Sequence, residues 1–198
     1  MAIAINGSGS ITGISAGGLP DGCVTADDLA SGVGGKILQV KNAIKTDTAS
    51  VTNATFIDIS GLSISITPSS SSNKVLFKGY VSLSSEGNTI MAIRIFRDST
   101  EIGKSTADGT AANNSTATAC GLNVGSVTSS VRSQMNQLQF EVLDSPNTTS
   151  AVTYKVQFAE LSLYQYQSVV VYVNRPHVST SASNQGVISS VTAMEVAA

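Results

Sequence analysis

From Lys36 to the C-terminus, apolar residues recur at every second position, and this alternation sharply limits what the chain can fold into. Leu38, Val40 and Ile44 share one face of a first run. Leu62, Ile64 and Ile66 alternate with Ser63, Ser65 and Thr67, and Met91, Ile93 and Ile95 alternate with Ala92, Arg94 and Phe96. Val152, Tyr154, Val156 and Phe158 alternate with Thr153, Lys155 and Gln157. A strand turns successive side chains to opposite faces, so each run predicts a strand with one buried face, as in antiparallel sheets. Further strands are expected over 74–84, 137–143, 168–174 and 187–196, with weaker ones at 56–59 and 122–129. Thr67-Pro68-Ser69, Arg97-Asp98-Ser99-Thr100 and Asp144-Ser145-Pro146-Asn147 supply turn chemistry between them, and the last predicts a hairpin. The expected fold is all-β: an antiparallel β-sandwich of jelly-roll type over residues 36–198.

Composition agrees with this and narrows the partners. Charged residues make up 12% of the chain, about half the usual share. Ser and Thr, about a quarter of the residues, supply the polarity, and Thr suits a pleated surface. A charge-poor, hydroxyl-rich β protein is expected to bury further surface in an oligomer. The net charge is −2 and the 11 basic residues are scattered, so no stripe exists to neutralise phosphates and no nucleic-acid partner is expected. The longest apolar run, 169–173, is far short of a membrane span, and the N-terminus lacks the positive region of a secretory signal. Neither membrane insertion nor secretory export is expected. Cys23 and Cys120, far apart in the chain, read as two buried thiols rather than a staple. Two cysteines and one histidine do not make a tetrahedral metal site.

Residues 1–35 follow different rules. Their glycine density defeats regular structure, Leu19-Pro20-Asp21-Gly22 is a turn, and Thr25 reads as the N-cap of one short helical turn. Ile3, Ile5, Ile11, Ile14, Leu19, Val24 and Leu29 are too sparse to bury one another within one copy. They are expected to serve assembly or anchoring, as part of a Gly-rich N-terminal arm that packs against other copies or a second protein.

Motifs for chemistry fail on spacing. In Gly7-Ser8-Gly9-Ser10-Ile11-Thr12-Gly13 the third glycine falls one position late for a dinucleotide loop, and Gly103-Lys104-Ser105 has Asp98 where a P-loop needs its first glycine. His177, the single histidine, follows Arg175-Pro176 and reads as a surface loop residue without a catalytic partner. Carboxylates at Glu86, Asp98, Glu101, Asp108, Glu141 and Asp144 are not paired by any pattern in the sequence. The chain is therefore expected to be no enzyme and to need no cofactor. Two polar segments between strands are candidates for receptor contact: 106–118, with Asp108, Thr110, Asn113 and Asn114, and 161–167, with Tyr164 and Tyr166.

Gly7–Asp28 (GSGSITGISAGGLPDGCVTADD), Gly35–Thr48 (GKILQVKNAIKTDT) and Phe56–Ser72 (FIDISGLSISITPSSSS) carry a family resemblance. Val142–Phe158 (VLDSPNTTSAVTYKVQF), Val171–Arg175 (VYVNR) and Ser190–Ala198 (SVTAMEVAA) carry it further. Taken in order, they resemble the tail fibre-like virion proteins of tailed bacteriophages, frequent in cyanophages and other marine phages. The resemblance implies a Gly-rich segment near a junction with another virion part and a distal, trimeric β knob. It implies a virion structural protein made in the host cytoplasm, with itself and other tail or capsid proteins as partners, and a host surface glycan or protein as the contact. The chain lacks the long shaft of a complete fibre, which brings in a second reading, a capsid decoration protein. A glycan-binding module is the third.

Overall fold

The computed structural model describes residues 36–52, 55–87, 89–105, 117–123, 135–161, 169–177 and 186–198. The arm of residues 1–35, with its Thr25-capped turn, lies outside them. Eleven strands and no helix occur among the described residues: β1 (Ile37–Lys45), β2 (Ala49–Val51), β3 (Ile57–Ile66), β4 (Lys74–Ser85), β5 (Thr89–Arg97), β6 (Thr100–Ile102), β7 (Ala119–Asn123), β8 (Asn136–Asp144), β9 (Val152–Leu161), β10 (Val171–Val173) and β11 (Ser189–Val196). They form two antiparallel sheets arranged as a sandwich. The first runs β1-β11-β4-β10-β2 with β8 on the other edge of β4; the second runs β3-β9-β5-β6 with β7 also on β5.

The alternating residues fill the space between the sheets. Leu62, Ile66, Phe77, Val81, Met91, Ile93, Ile95, Tyr154, Val156 and Phe158 are fully buried, each contributing about 2 kcal/mol of burial. Phe77 is 5.3 Å from both Phe140 and Tyr154, ring centre to ring centre, which joins β4, β8 and β9 at the core. The two weak and strong segments expected at 56–59 and 62–66 are one strand. Gly61, at φ +87°, lies within the register shift between Asp58 and Ser63, where β3 carries three more residues than β9, so that Ile59 and Leu62 are both buried despite opposite parity. At Gly79 a Cβ would meet the Ser190 carbonyl oxygen at 2.3 Å, so the close approach of β4 to β11 needs a glycine.

Three expectations are corrected. Asp144–Asn147 does not open a hairpin: β8 pairs with β4 and β9 with β3 and β5, so the connection crosses between sheets. The reason is that Asp144 points inward, taking hydrogen bonds from the Tyr154 hydroxyl (2.7 Å) and Arg97 Nη1 (2.6 Å), which draws β8 and β9 into opposite layers. Leu38, Val40 and Ile44 do share a face of β1, but it is the outward one, 49–57% exposed. Gln39 and Lys41 take the opposite direction and donate to the Thr67 and Ser65 carbonyls, closing the side of the sandwich against β3. Cys120 is exposed, because its β7 neighbour Gly121 is the one facing Met91 and Leu138; Cys23 lies outside the described residues. Two short strands were not foreseen, β2 and β6. The expected turn at 97–100 is the tight β5–β6 connection, with Arg97 opposite Thr100 and Asp98 at φ +51°.

In both sheets two short strands share one edge of a long one, and a polar side chain bridges each break. β11 covers Lys74–Tyr80 and β10 covers Leu83–Ser85. Between them Ser82 donates its N–H to the Ser189 hydroxyl (3.0 Å) and accepts from the Asn174 N–H (2.9 Å). The Ser189 hydroxyl in turn donates to Asn174 Oδ1 (2.6 Å), while Asn174 Nδ2 donates to the Lys45 and Asp47 carbonyls. On β5 the same device uses Thr118, whose hydroxyl accepts from the Ile95 N–H (3.2 Å) and whose N–H donates to the Ile93 carbonyl (2.9 Å).

The third polar anchor is Glu195, 1% exposed. Its carboxylate accepts from Gln39 Nε2 (2.6 Å), the Ser69 N–H (2.7 Å) and hydroxyl (2.8 Å), and Asn73 Nδ2 (2.7 Å). Burial works to raise its pKa, but these donors more than offset that and hold it at about 2.

Asn174→Ala is expected to cost about 3 kcal/mol or more, since it strands buried partners and puts alanine at φ +62°; urea unfolding of the full chain measures it. For Glu195 the folded pKa of about 2 lies below the ordinary 4.5. Its stabilisation is therefore complete above pH 4.5 and lost as pH falls towards 2, a change of about 3 kcal/mol. Unfolding curves across that window should show this slope in the wild-type chain and lose it in Glu195→Gln.

Candidate functional site

All the residues singled out in the sequence for anchoring or contact lie outside the described residues: Ile3, Ile5, Ile11, Ile14, Leu19, Val24 and Leu29 in the arm, Asp108, Thr110, Asn113 and Asn114, and Tyr164 and Tyr166. The candidate surfaces that the structure does describe are elsewhere, on the outer face of the first sheet and at one of its ends.

The outer face is ordered by strand register. Val40 lies opposite Met194, Met194 opposite Leu76, and Leu76 opposite Leu143. This row of apolar side chains crosses β1, β11, β4 and β8. Val40 and Leu143 are 57% and 54% exposed, and Met194 and Leu76 are partly exposed. Leu38 flanks the row on β1. The next outward row is Asn42, Thr192, Lys78 and Glu141, and the one after it is Ile44, Ser190, Tyr80 and Gln139. Lys78, Tyr80, Gln139, Glu141, Ser190 and Thr192 line a shallow open groove of about 590 Å³ along these two rows. Its walls offer an ammonium, a carboxylate, an amide, hydroxyls and one phenol ring, a hydrogen-bonding surface beside an apolar one.

At the end of the sheet, three side chains gather around Tyr172 of β10. The Tyr172 hydroxyl donates to Glu86 Oε1 at 2.6 Å. The His177 ring stacks on Tyr172, with centroids 5.8 Å apart, and its Nδ1 is 3.4 Å from the same Glu86 oxygen. The Arg175 guanidinium lies 4.3 Å from the Tyr172 ring centre, within cation–π range. Burial, then the Glu86 carboxylate, push the Tyr172 pKa up to about 12. His177 is thus not the plain surface residue expected from its loop: its side chain is 19% exposed and tied to β10 and to Glu86. The spacing of Tyr172 and His177 could have pointed to this contact, but Glu86 is contributed from across the fold.

Among the described residues, the carboxylates tested in the sequence serve as structural partners. Asp144 binds Tyr154 and Arg97, Asp98 Oδ1 accepts from the Thr153 N–H, and Glu101 lies 3.5 Å from Arg94. Glu141 lines the groove.

Tyr172→Phe is expected to destabilise the chain by about 1 kcal/mol through the lost charge-assisted bond to Glu86. Thermal unfolding at neutral pH checks this.

No protein-family model matches the chain, and no curated protein does. Among solved structures, the chain aligns with chains of infectious bursal disease virus. The Gt strain structure aligns with a TM-score of 0.40 at 11% identity over 81% of this chain, and the Gx strain structure with 0.37 at 12% over 80%. The chain spans about two fifths of the length of those chains (38% and 42%).

Proposed function

We propose that this protein is a structural component of a tailed-phage virion, a homotrimeric surface appendage of fibre or knob type whose task is assembly and presentation rather than catalysis. The observation that supports it most is where the family-like segments fall in the fold. Gly35–Thr48 contains β1, Phe56–Ser72 contains β3 and the turn that binds Glu195, Val142–Phe158 contains the crossing from β8 into β9, Val171–Arg175 contains β10, and Ser190–Ala198 forms most of β11. Gly7–Asp28 lies outside the described residues, and the other segments that carry the resemblance fall on strands and polar anchors of the sandwich. A rigid two-sheet scaffold of this kind suits presentation of recognition loops, and several copies together add avidity to weak host contacts.

Its partners in this reading are other copies, the virion protein that receives the arm, and a host surface glycan or protein. The capsid-decoration reading keeps the same scaffold but seats the arm on the shell.

Immunogold labelling of intact particles with antibody to residues 36–198 tests the proposal. Gold at the tail is the expected result, gold over the head would replace the fibre role with decoration, and particles without gold would overturn both. Deletion of residues 1–35 is expected to retain the β-sheet circular dichroism of the full chain while abolishing incorporation into particles.

A further inference from the structure

We infer that the sandwich presents to the host the end remote from Ile37, and that Glu86, Tyr172, Arg175 and His177 form a contact site there for a neutral, hydroxyl-rich glycan. The inference rests on the reading of the protein as a surface appendage attached through its arm. Strand register sorts the described residues into two ends. The arm joins the sandwich at Ile37, which lies opposite Val196, and Val196 lies opposite Lys74. The same end holds Asp144 beside Val75, Val152 beside Ile66, and the tight Arg97–Thr100 turn. At the other end Ser85 lies opposite Val171, Leu83 opposite Asn136, Thr89 opposite Asn123, and Ile90 opposite Leu161. The long β7–β8 and β9–β10 connections leave from and return to this second end, where recognition is expected when the first end is the attachment.

Each end carries a tyrosine, a carboxylate and an arginine, and only one set is open. At the Ile37 end Arg97 and Tyr154 both bind Asp144, whose side chain is 11% exposed, and Tyr154 is fully buried. That set is spent on the fold. At the other end Tyr172 alternates with the buried Val171 and Val173 and so points outward, between its cross-strand neighbours Ser50 and Ser84. The Ser84 hydroxyl donates to the Arg175 carbonyl (2.6 Å), and the Glu86 N–H donates to the Val170 carbonyl (3.1 Å), so the backbone beneath both charged groups is held in place. The Glu86 side chain is 36% exposed. Its Oε1 takes the Tyr172 hydroxyl, and its Oε2 has no hydrogen bond among the described residues. Arg175 spends Nε and Nη2 on the Pro176 and His177 carbonyls and has no such bond at Nη1. One acceptor and one donor thus border a single aromatic ring, which the stacked His177 ring widens. Adjacent sugar hydroxyls suit this arrangement: one donates to the carboxylate, the other accepts from the guanidinium, and the C–H groups pack on the rings. An anionic ligand is opposed by Glu86 and a cationic one by Arg175, so the pair selects a neutral glycan.

Full-length chain coupled to fluorescent beads, for avidity, and applied to cells that the particles infect tests this. Arg175→Gln and Glu86→Gln are each expected to lower bead binding about tenfold or more, with wild-type circular dichroism. Arg175 side-chain bonds reach only carbonyls of its own loop, so Arg175→Gln keeps the test decisive if Glu86→Gln misfolds. Thr149→Arg, in the exposed turn at the Ile37 end, is expected to leave binding unchanged. Treating the cells with periodate, which cleaves vicinal diols, is expected to abolish binding, and proteinase treatment to leave it. Wild-type binding by Arg175→Gln would overturn the site, and loss in Thr149→Arg would overturn the orientation. Binding that survives periodate and is lost to proteinase would overturn the glycan in favour of a protein receptor. Wild-type beads that bind no cells would overturn the whole inference, while the gold labelling still decides whether the protein belongs to the virion.

Discussion

β4 sits at the centre of the first sheet and must have hydrogen-bond partners on both edges along twelve residues. A buried strand that left even two backbone groups unpaired there would lose several kcal/mol. One edge is met by β8 alone. The other is shared by β10 and β11, both antiparallel to β4, with β10 ending and β11 beginning on either side of a break that falls at Ser82. Asn174 and Ser189 fill that break, and through Asn174 Nδ2 the repair extends to the turn after β1. The break in β4 pairing is thus closed by the Ser189 hydroxyl and the Asn174 main-chain N–H, and the Asn174 side chain, on a left-handed residue that asparagine tolerates well, ties that repair to Ser189 and to the turn after β1.

The second sheet solves the same problem on β5 with Thr118. With both sheets pinned at their breaks, the space between them is filled mainly by apolar side chains, with Tyr154, whose hydroxyl donates to Asp144, and the buried, mutually hydrogen-bonded Thr89 and Glu160 as polar members. Burial and the Asp144 carboxylate drive the Tyr154 pKa far upward, so it stays a neutral hydrogen-bond donor. Glu195, in the same cross-strand row on the other side of Val75, performs the corresponding task, holding the β3–β4 turn and the side chain of Gln39 at once. Polar anchors thus lie at breaks and rims, where backbone groups run short of partners, and the middle of the sandwich is left to packing.

With the inner faces committed to the core, the outer face of the first sheet is free to carry function. Its rows are set by the same pairing that builds the sheet: any shift of β1 by one residue would turn Val40 and Leu38 inward and break the apolar row. A surface made this way is rigid, and its charge and apolar pattern is repeated in every copy. That suits a protein whose proposed role is to be built into a larger particle.

The alternating runs of Leu62–Ile66, Met91–Ile95 and Val152–Phe158 determined strand identity and the inward face by themselves, because a period of two admits no other reading when one face must be dry. The same period in Leu38, Val40 and Ile44 showed which residues share a face but not whether that face is buried. Burial there depends on what Gln39 and Lys41 find on the other side, and they find the β3 carbonyls. Likewise the turn residues at 144–147 announced a reversal without saying between which sheets, since that was decided by Asp144 meeting Arg97 and Tyr154. The apolar row and the Glu86–Tyr172–His177 contact were illegible in the sequence for the same reason: their members lie up to about 150 positions apart and are brought together by strand register. Local pattern fixes what a segment is, whereas long-range pairing, which depends on the whole chain closing at once, decides what it stands beside.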